Sequence, residues 1–368
     1  MPEDTDFSTP SHASRSTANP RQPIRENRRD ESLDIAKGFG ILLVVLGHNL
    51  DGLIASGFLP PSLAWPTLTV FVIYLFHMPL FFVVSGHLAS GKRRSARATL
   101  AKLVPTIVYP YFLWSVLEGL TLVYLNKYTN SNHASISAIY KILWIPIVPY
   151  WFLYALFLCQ AAYLAIRKLS YRVQLTIATV LFLIPPFFPG PISNAHLLII
   201  PETVRGFLYF ILGVVSVSLV KQFGRWVALT ATVLFILFAI VFYQSQFSGV
   251  MAALAELPAG IAGIIATLAL SRMLATRGGW FANMVAFWGR YSMSIYVMHI
   301  FFTAGARIAL KRLAIASPQL SGTPTLFAAA LQIVAGITAG IALPLVINWA
   351  LSKFDLDKWF GIQHMETA

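Results

Sequence analysis

Residues 226–243 and 325–347 run without a single charged side chain, and each stretch is close to the roughly 20 residues a helix needs to cross a hydrocarbon core. In lipid every backbone N–H and C=O must be paired inside its own segment, so helix is the geometry open to such runs. Hydrophobic residues make up 57% of the 368 positions, charged residues only 11%, and mean hydropathy is +0.70. A soluble globule carries about 25% charge, so these runs are membrane spans and not buried core helices.

The pattern predicts an all-α polytopic membrane helix bundle of about ten transmembrane helices. They fall near 33–50, 68–88, 103–125, 150–166, 173–188, 203–220, 226–244, 251–271, 283–304 and 325–351. Interruption is expected first in the span holding Asp34, Lys37 and His48, and in the one that runs into Pro185, Pro186 and Pro189. Residues 1–30, rich in Ser, Thr, Pro and Arg, read as a disordered cytoplasmic tail. Residues 31–355 form the membrane domain, and 356–368 a short cytoplasmic tail. No cleavage site follows the first apolar run, which is expected to remain as an anchor.

Lys and Arg set the orientation, because basic loops stay on the cytoplasmic side. With the N-terminus inside, 20 of these residues fall on the cytoplasmic side and 6 opposite, with Arg290 inside a span. Both termini are therefore expected inside (N-in/C-in). The same split accounts for the net charge of +13 and the pI near 9.9. Basic loops facing anionic membrane lipids need no nucleic-acid partner, and none is expected. The single cysteine, Cys159, excludes an intramolecular disulfide and a cysteine-cluster metal site.

Function has to come from polar groups that the bilayer makes costly, about 3 kcal/mol for a charge at mid-depth on insertion scales. In the first span ten residues separate Lys37 from His48. That spacing returns to within about 20° of the same helix face after about 16 Å of rise. One stripe then carries a cation near the cytoplasmic entrance and an imidazole toward the outer half. The plain alternatives are a Lys37 that snorkels to the lipid surface and a His48 that bonds a neighbouring helix.

The second span carries Phe81-Phe82-Val83-Val84-Ser85-Gly86. Together with Lys37 to His48, this resembles the acyltransferase-3 family of membrane O-acyltransferases. Its members begin with a helix bearing a basic residue, ten intervening residues and a histidine, followed by a helix ending in Phe-Phe-x-x-Ser-Gly. Pro149-Tyr150-Trp151-Phe152-Leu153-Tyr154 and Gly289-Arg290-Tyr291-Ser292-Met293-Ser294-Ile295-Tyr296-Val297-Met298-His299 extend the resemblance over most of the chain. The Asp34-x-x-Lys37-Gly38 start is most similar to the fucose 4-O-acetylase-like branch. Two departures stand out. Many relatives have arginine where this chain has Lys37, a point charge without the bidentate fork. Their Arg-x-x-Arg pair leads into the third helix, whereas Arg94 and Arg97 stand several residues before Pro105. The optional esterase-like domain of the family is not expected.

The resemblance implies acyl transfer from acetyl-CoA to a hydroxyl of a glycan or lipid-linked sugar in a bacterial-type inner (plasma) membrane. Such chemistry needs a base for the hydroxyl proton and stabilisation of the developing oxyanion. His48 suits the first task as base, or as a transient acyl carrier, with Lys37 beside it as the other catalytic candidate. Ser85, Gly86, Arg94, Arg97 and Arg290 are candidates for holding acyl-CoA, Gly86 by letting the ligand approach the backbone closely. Glu118, Trp151, Tyr154, His77 and His299 are candidates for the acceptor, Glu202 and Glu256 lying near the same outer ends. No metal is expected, since no metal-ligand spacing, phosphate loop or serine elbow occurs. The rival reading is a transporter in which Lys37, His48, Glu118 and Arg290 form a pathway.

Overall fold

The computed structural model describes residues 30–59, 63–91, 95–125, 137–187, 199–245, 247, 249–316 and 326–365. Among these residues there is no strand, and the long elements are all helices. In chain order they are α1 (Glu31–Ala55), α2 (Ala64–Tyr74), α3 (His77–Ser90), α4 (Ala96–Leu103), α5 (Tyr109–Tyr124), α6 (Trp151–Ile166) and α7 (Tyr171–Phe187). There follow α8 (Ile199–Val215), α9 (Arg225–Ser245), α10 (Gly249–Arg277), α11 (Trp280–Arg290), α12 (Ser292–Ala316) and α13 (Leu326–Lys353). Seven helical stretches among the described residues are long and apolar enough to cross a membrane. The three other expected spans coincide with α6, α7 and α8, of 16, 17 and 17 residues. The expected tail at 1–30 lies outside the described residues apart from Asp30.

The interruptions are not where the sequence led us to expect them. α1 is unbroken over 25 residues, with Glu31 and Asp34 in its first turn, where the helix dipole favours acids. α7 continues through Pro185 and Pro186. The expected span 68–88 is instead split at Leu75–Phe76 into α2 and α3. Pro79 supplies the reason: in a continuous helix its ring meets the carbonyl of residue 75, but in the first turn of α3 its missing N–H leaves nothing unpaired. The expected span 283–304 is likewise two helices with a turn at Tyr291, so Arg290 closes a short helix and is not buried inside a span. Between α4 and α5, residues Val104–Val108 form a π-turn, with the donor-less Pro105 at its start and Pro110 just after it.

α1 is the axis of the bundle, packing against α2, α3, α10, α11, α12 and α13. Its approach to α11 is close because Gly38 and Gly289 let the two backbones meet; a Cβ on Gly289 would lie 1.7 Å from the Asp34 carbonyl oxygen. α3 packs on α8, and α9 pairs with α10. α9 buries only Ala231 and Ala239 and turns Leu, Ile and Val outward, as a lipid-facing helix does. After α13 the chain folds back: a short turn at Asp357–Phe360 receives bonds from Trp114 (2.9 Å) and Tyr109 (2.6 Å) on its backbone carbonyls. Asp357, Ile362 and Met365 are buried there.

Candidate active site

Two cavities enter the bundle. The larger, about 1020 Å³, is lined by His48, Asp51 and Gly52 of α1, Tyr74, and His77 to Phe82 of α3. Further lining comes from Glu118, Trp151, Glu202, Arg205, Tyr209, Glu256, Tyr296 and Arg307. The smaller, about 210 Å³, is lined by Ser85, Ala89, Thr99, Lys102, Thr106, Gln160, Tyr163 and Arg167. Most of the larger cavity's lining comes from the helix ends that a ten-crossing serpentine places on one side, and the smaller cavity's lining from the opposite ends. α3 serves both. Phe82 borders the larger cavity and Ser85 the smaller, so along this helix they are separated by three residues, about 4.5 Å of rise.

His48 sits between two ring systems. Its imidazole lies 5.4 Å from that of His299 and 6.2 Å from the Tyr74 ring, and Tyr74 stacks at 5.0 Å on His77. The Tyr74 hydroxyl donates to the Asp51 carboxylate, one turn beyond His48 on α1. In His77 and His299 one ring nitrogen is fixed by chemistry. His77 Nδ1 lies 2.9 Å from the Ile73 carbonyl and His299 Nδ1 2.7 Å from the Tyr296 carbonyl. A carbonyl only accepts, so each Nδ1 carries the proton and, in the neutral ring, each Nε2 presents a lone pair.

The motifs around Tyr150 and Tyr296 form a reciprocal latch. Tyr150 donates its hydroxyl to the Val297 carbonyl at 2.7 Å, and Tyr296 donates its own to the Pro149 carbonyl at 2.5 Å. Two aromatic rings, 6.3 Å apart, thus pin the start of α6 to α12 one turn before His299. Glu118, only 6% exposed, lies within hydrogen-bonding reach of the Tyr150 hydroxyl, and its Oε2 has no protein partner. A buried carboxyl oxygen left open on a cavity wall is ready for a donor from a ligand.

The expected residues fall into three groups. His48, His77, Glu118 and Trp151 line the larger cavity. His299 is brought to the site but stands behind His48, wholly buried and off the cavity wall. Ser85 lines the smaller cavity. The rest are elsewhere. Lys37 lies 2.7 Å from Asp34 and borders neither cavity. Gly86 is approached closely, but by the backbone of α8: a Cβ there would sit 1.9 Å from the Phe210 carbonyl oxygen. Tyr154 donates to the Leu143 carbonyl at 2.9 Å and borders neither cavity. Arg97 and Arg290 are exposed and line neither. Arg94 lies outside the described residues.

The sequence reading passed over Asp51, Arg205, Arg307, and the Lys102 and Arg167 pair. Asp51 was within reach, one turn past His48 on the same face. Lys102 and Arg167 had been counted only as loop charges, since nothing in the sequence shows that α4 and α6 converge. Among the described residues one group, Asp355, Asp357 and His364, could bring donor atoms to a metal ion. It lies in the C-terminal turn away from both cavities, and Asp355 also stands 3.7 Å from Lys358.

A helical bundle entered from both ends, with a histidine on the wall of the larger cavity, is the frame of a multi-pass membrane protein. The family profile described as an acyltransferase domain, acyltransferase-3, matches residues 30–349, and the chain belongs to that family. Nodulation protein NolL of Mesorhizobium japonicum is 38% identical over 97 residues, 26% of this chain and 25% of that one. Nodulation protein NolL of Sinorhizobium fredii is 30% identical over 165 residues, 43% of each chain. The matched segments thus span less than half the length of these relatives. No solved structure matches the chain.

Proposed function

We propose that the protein transfers an acetyl or other short acyl group from acyl-CoA on the cytoplasmic side to a hydroxyl of a glycan or lipid-linked sugar on the other side. The observation that carries this reading is the pair of unlike cavities at opposite ends of the bundle, whose walls come within one turn of each other along α3. The smaller cavity lies at the end that the basic loops assign to the cytoplasm. Its Lys102 and Arg167 offer cations for donor phosphates, with Ser85 and Tyr163 as hydroxyl donors. The larger cavity matches the upper end of the size range of small-molecule sites, about 1000 Å³. It offers carboxyls and aromatic rings of the kind that hold sugar hydroxyls.

In this reading His48 takes the proton from the acceptor hydroxyl as its oxygen attacks the thioester carbonyl. The new C–O bond forms, the C–S bond breaks, and the proton passes from His48 to the departing thiolate. No metal is needed for that balance. Lys37, paired with Asp34 and off both walls, acts through the orientation of α1 and not on the reacting atoms. Transport is the weaker reading, because the two walls are unlike: the 210 Å³ cavity carries Lys102 and Arg167, while the larger carries carboxyls as well as arginines.

The test uses membranes containing the full chain, supplied with radiolabelled acetyl-CoA and a cell-surface glycan fraction. Label is expected in the glycan with the wild type and not with His48→Ala at equal expression. Label in neither, across several acyl-CoA donors and with a competent acceptor present, overturns the reading in favour of transport.

A further inference from the structure

We propose that His299 is the positioning residue for His48: its Nε2 accepts a hydrogen bond from one ring N–H of His48 and so aims the opposite ring nitrogen at the acceptor hydroxyl. The inference rests on the acyl-transfer reading above.

His299 is fully buried, with 0% of its surface exposed, and does not line the larger cavity, so it has no route to the substrate. Its Nδ1 proton is committed to the Tyr296 carbonyl at 2.7 Å. Nε2 is therefore an acceptor held in a fixed direction, and it is buried without a hydrogen-bond partner. A buried acceptor left open is costly and uncommon. The ring it stacks against, at 5.4 Å between centroids, is that of His48. Catalytic hydrogen bonds are often long in the ligand-free state and tighten when substrate binds, and here rotation of the His48 ring is what would close the bond.

The other polar groups near His48 have partners of their own. Asp51 accepts from the Tyr74 hydroxyl. His77 lines the cavity, its Nδ1 committed to the Ile73 carbonyl at 2.9 Å. Thr303, one turn beyond His299 on α12, donates to the Ile300 carbonyl at 3.2 Å. His299 in turn is held by the latch: Tyr296, whose carbonyl fixes its tautomer, is pinned to Pro149. A histidine base oriented by a third, buried group is the logic of catalytic triads. Here a neutral imidazole takes the place usually filled by a carboxylate. When His48 has taken the acceptor's proton it carries both ring protons, and the one facing His299 stays hydrogen-bonded while the other is delivered to the leaving thiolate.

The test compares His299→Gln with His299→Phe in membranes of the full chain, with expression and detergent-extracted melting temperature measured for each. Both side chains fill the space, but only Gln offers an acceptor. His299→Phe is expected to lower kcat about 100-fold with the KM values for acetyl-CoA and glycan within threefold of wild type, and His299→Gln to recover about a tenth of the wild-type rate. In the His48→Ala background, His299→Phe is expected to cost less than twofold, since the two residues act as a unit. Equal activities for Gln and Phe, a change confined to KM, or full additivity with His48→Ala would each overturn the proposal. A wild type that transfers no acyl group overturns the underlying reading instead.

Discussion

The two cavities differ in what surrounds their polar groups. The larger is built from residues of at least seven helices and gathers its charges as acids beside bases: Asp51 with Arg307 nearby, and Glu202 and Glu256 with Arg205. The smaller, a fifth of the volume, draws on α3, α4 with the π-turn after it, and α6, and holds Lys102 and Arg167 among hydroxyls with no carboxylate on its wall. One can read shape and hydroxyl pattern; the other is suited to anions. The difference teaches that the two ends of the bundle present unlike walls, which a pathway moving one substrate from end to end does not require.

Four substitutions test that division of labour, in descending order of expected effect. Replacing His48 by Ala removes the proposed base and should lower kcat by about 10³-fold, while acyl-CoA still protects the smaller cavity from proteolysis or chemical labelling. Loss of that protection would show that His48 belongs to donor binding. Glu118→Ala removes the open carboxyl oxygen of the larger cavity. It should lower kcat/KM for the glycan about 30-fold, near the 2 kcal/mol typical of a charged hydrogen bond, and leave the KM for acetyl-CoA unchanged. Lys102→Ala should do the reverse, raising the acetyl-CoA KM about 10-fold with little change toward the glycan. An equal effect on both substrates would merge the two cavities into one site. Arg290→Ala, at an exposed position on neither wall, should change steady-state kinetics less than about twofold.

The spans were legible because their signal is length and apolarity, which a single helix declares by itself. His48, His77 and Glu118 were legible for a related reason: polar groups inside spans are conspicuous. What the sequence concealed is convergence. Lys102 and Arg167 are 65 residues apart and looked like ordinary loop charges until α4 and α6 were placed side by side. The Lys37–Asp34 pair, by contrast, is local, three residues apart on one helix. The break before α3 was written in Pro79, but in a span that reads as uniformly apolar the proline looked tolerable.

The tyrosine latch joins segments 147 residues apart in the chain. At about 5–20 residues per second of synthesis, Tyr150 leaves the ribosome on the order of ten seconds before the strand of sequence that will hold it. The N-terminal half is thus inserted with its acceptor-side loop untethered. His48 waits still longer for its neighbour on α12. A nascent chain therefore carries His48 without the ring that will face it, and the larger cavity is complete only when nearly all of the crossings are in the membrane.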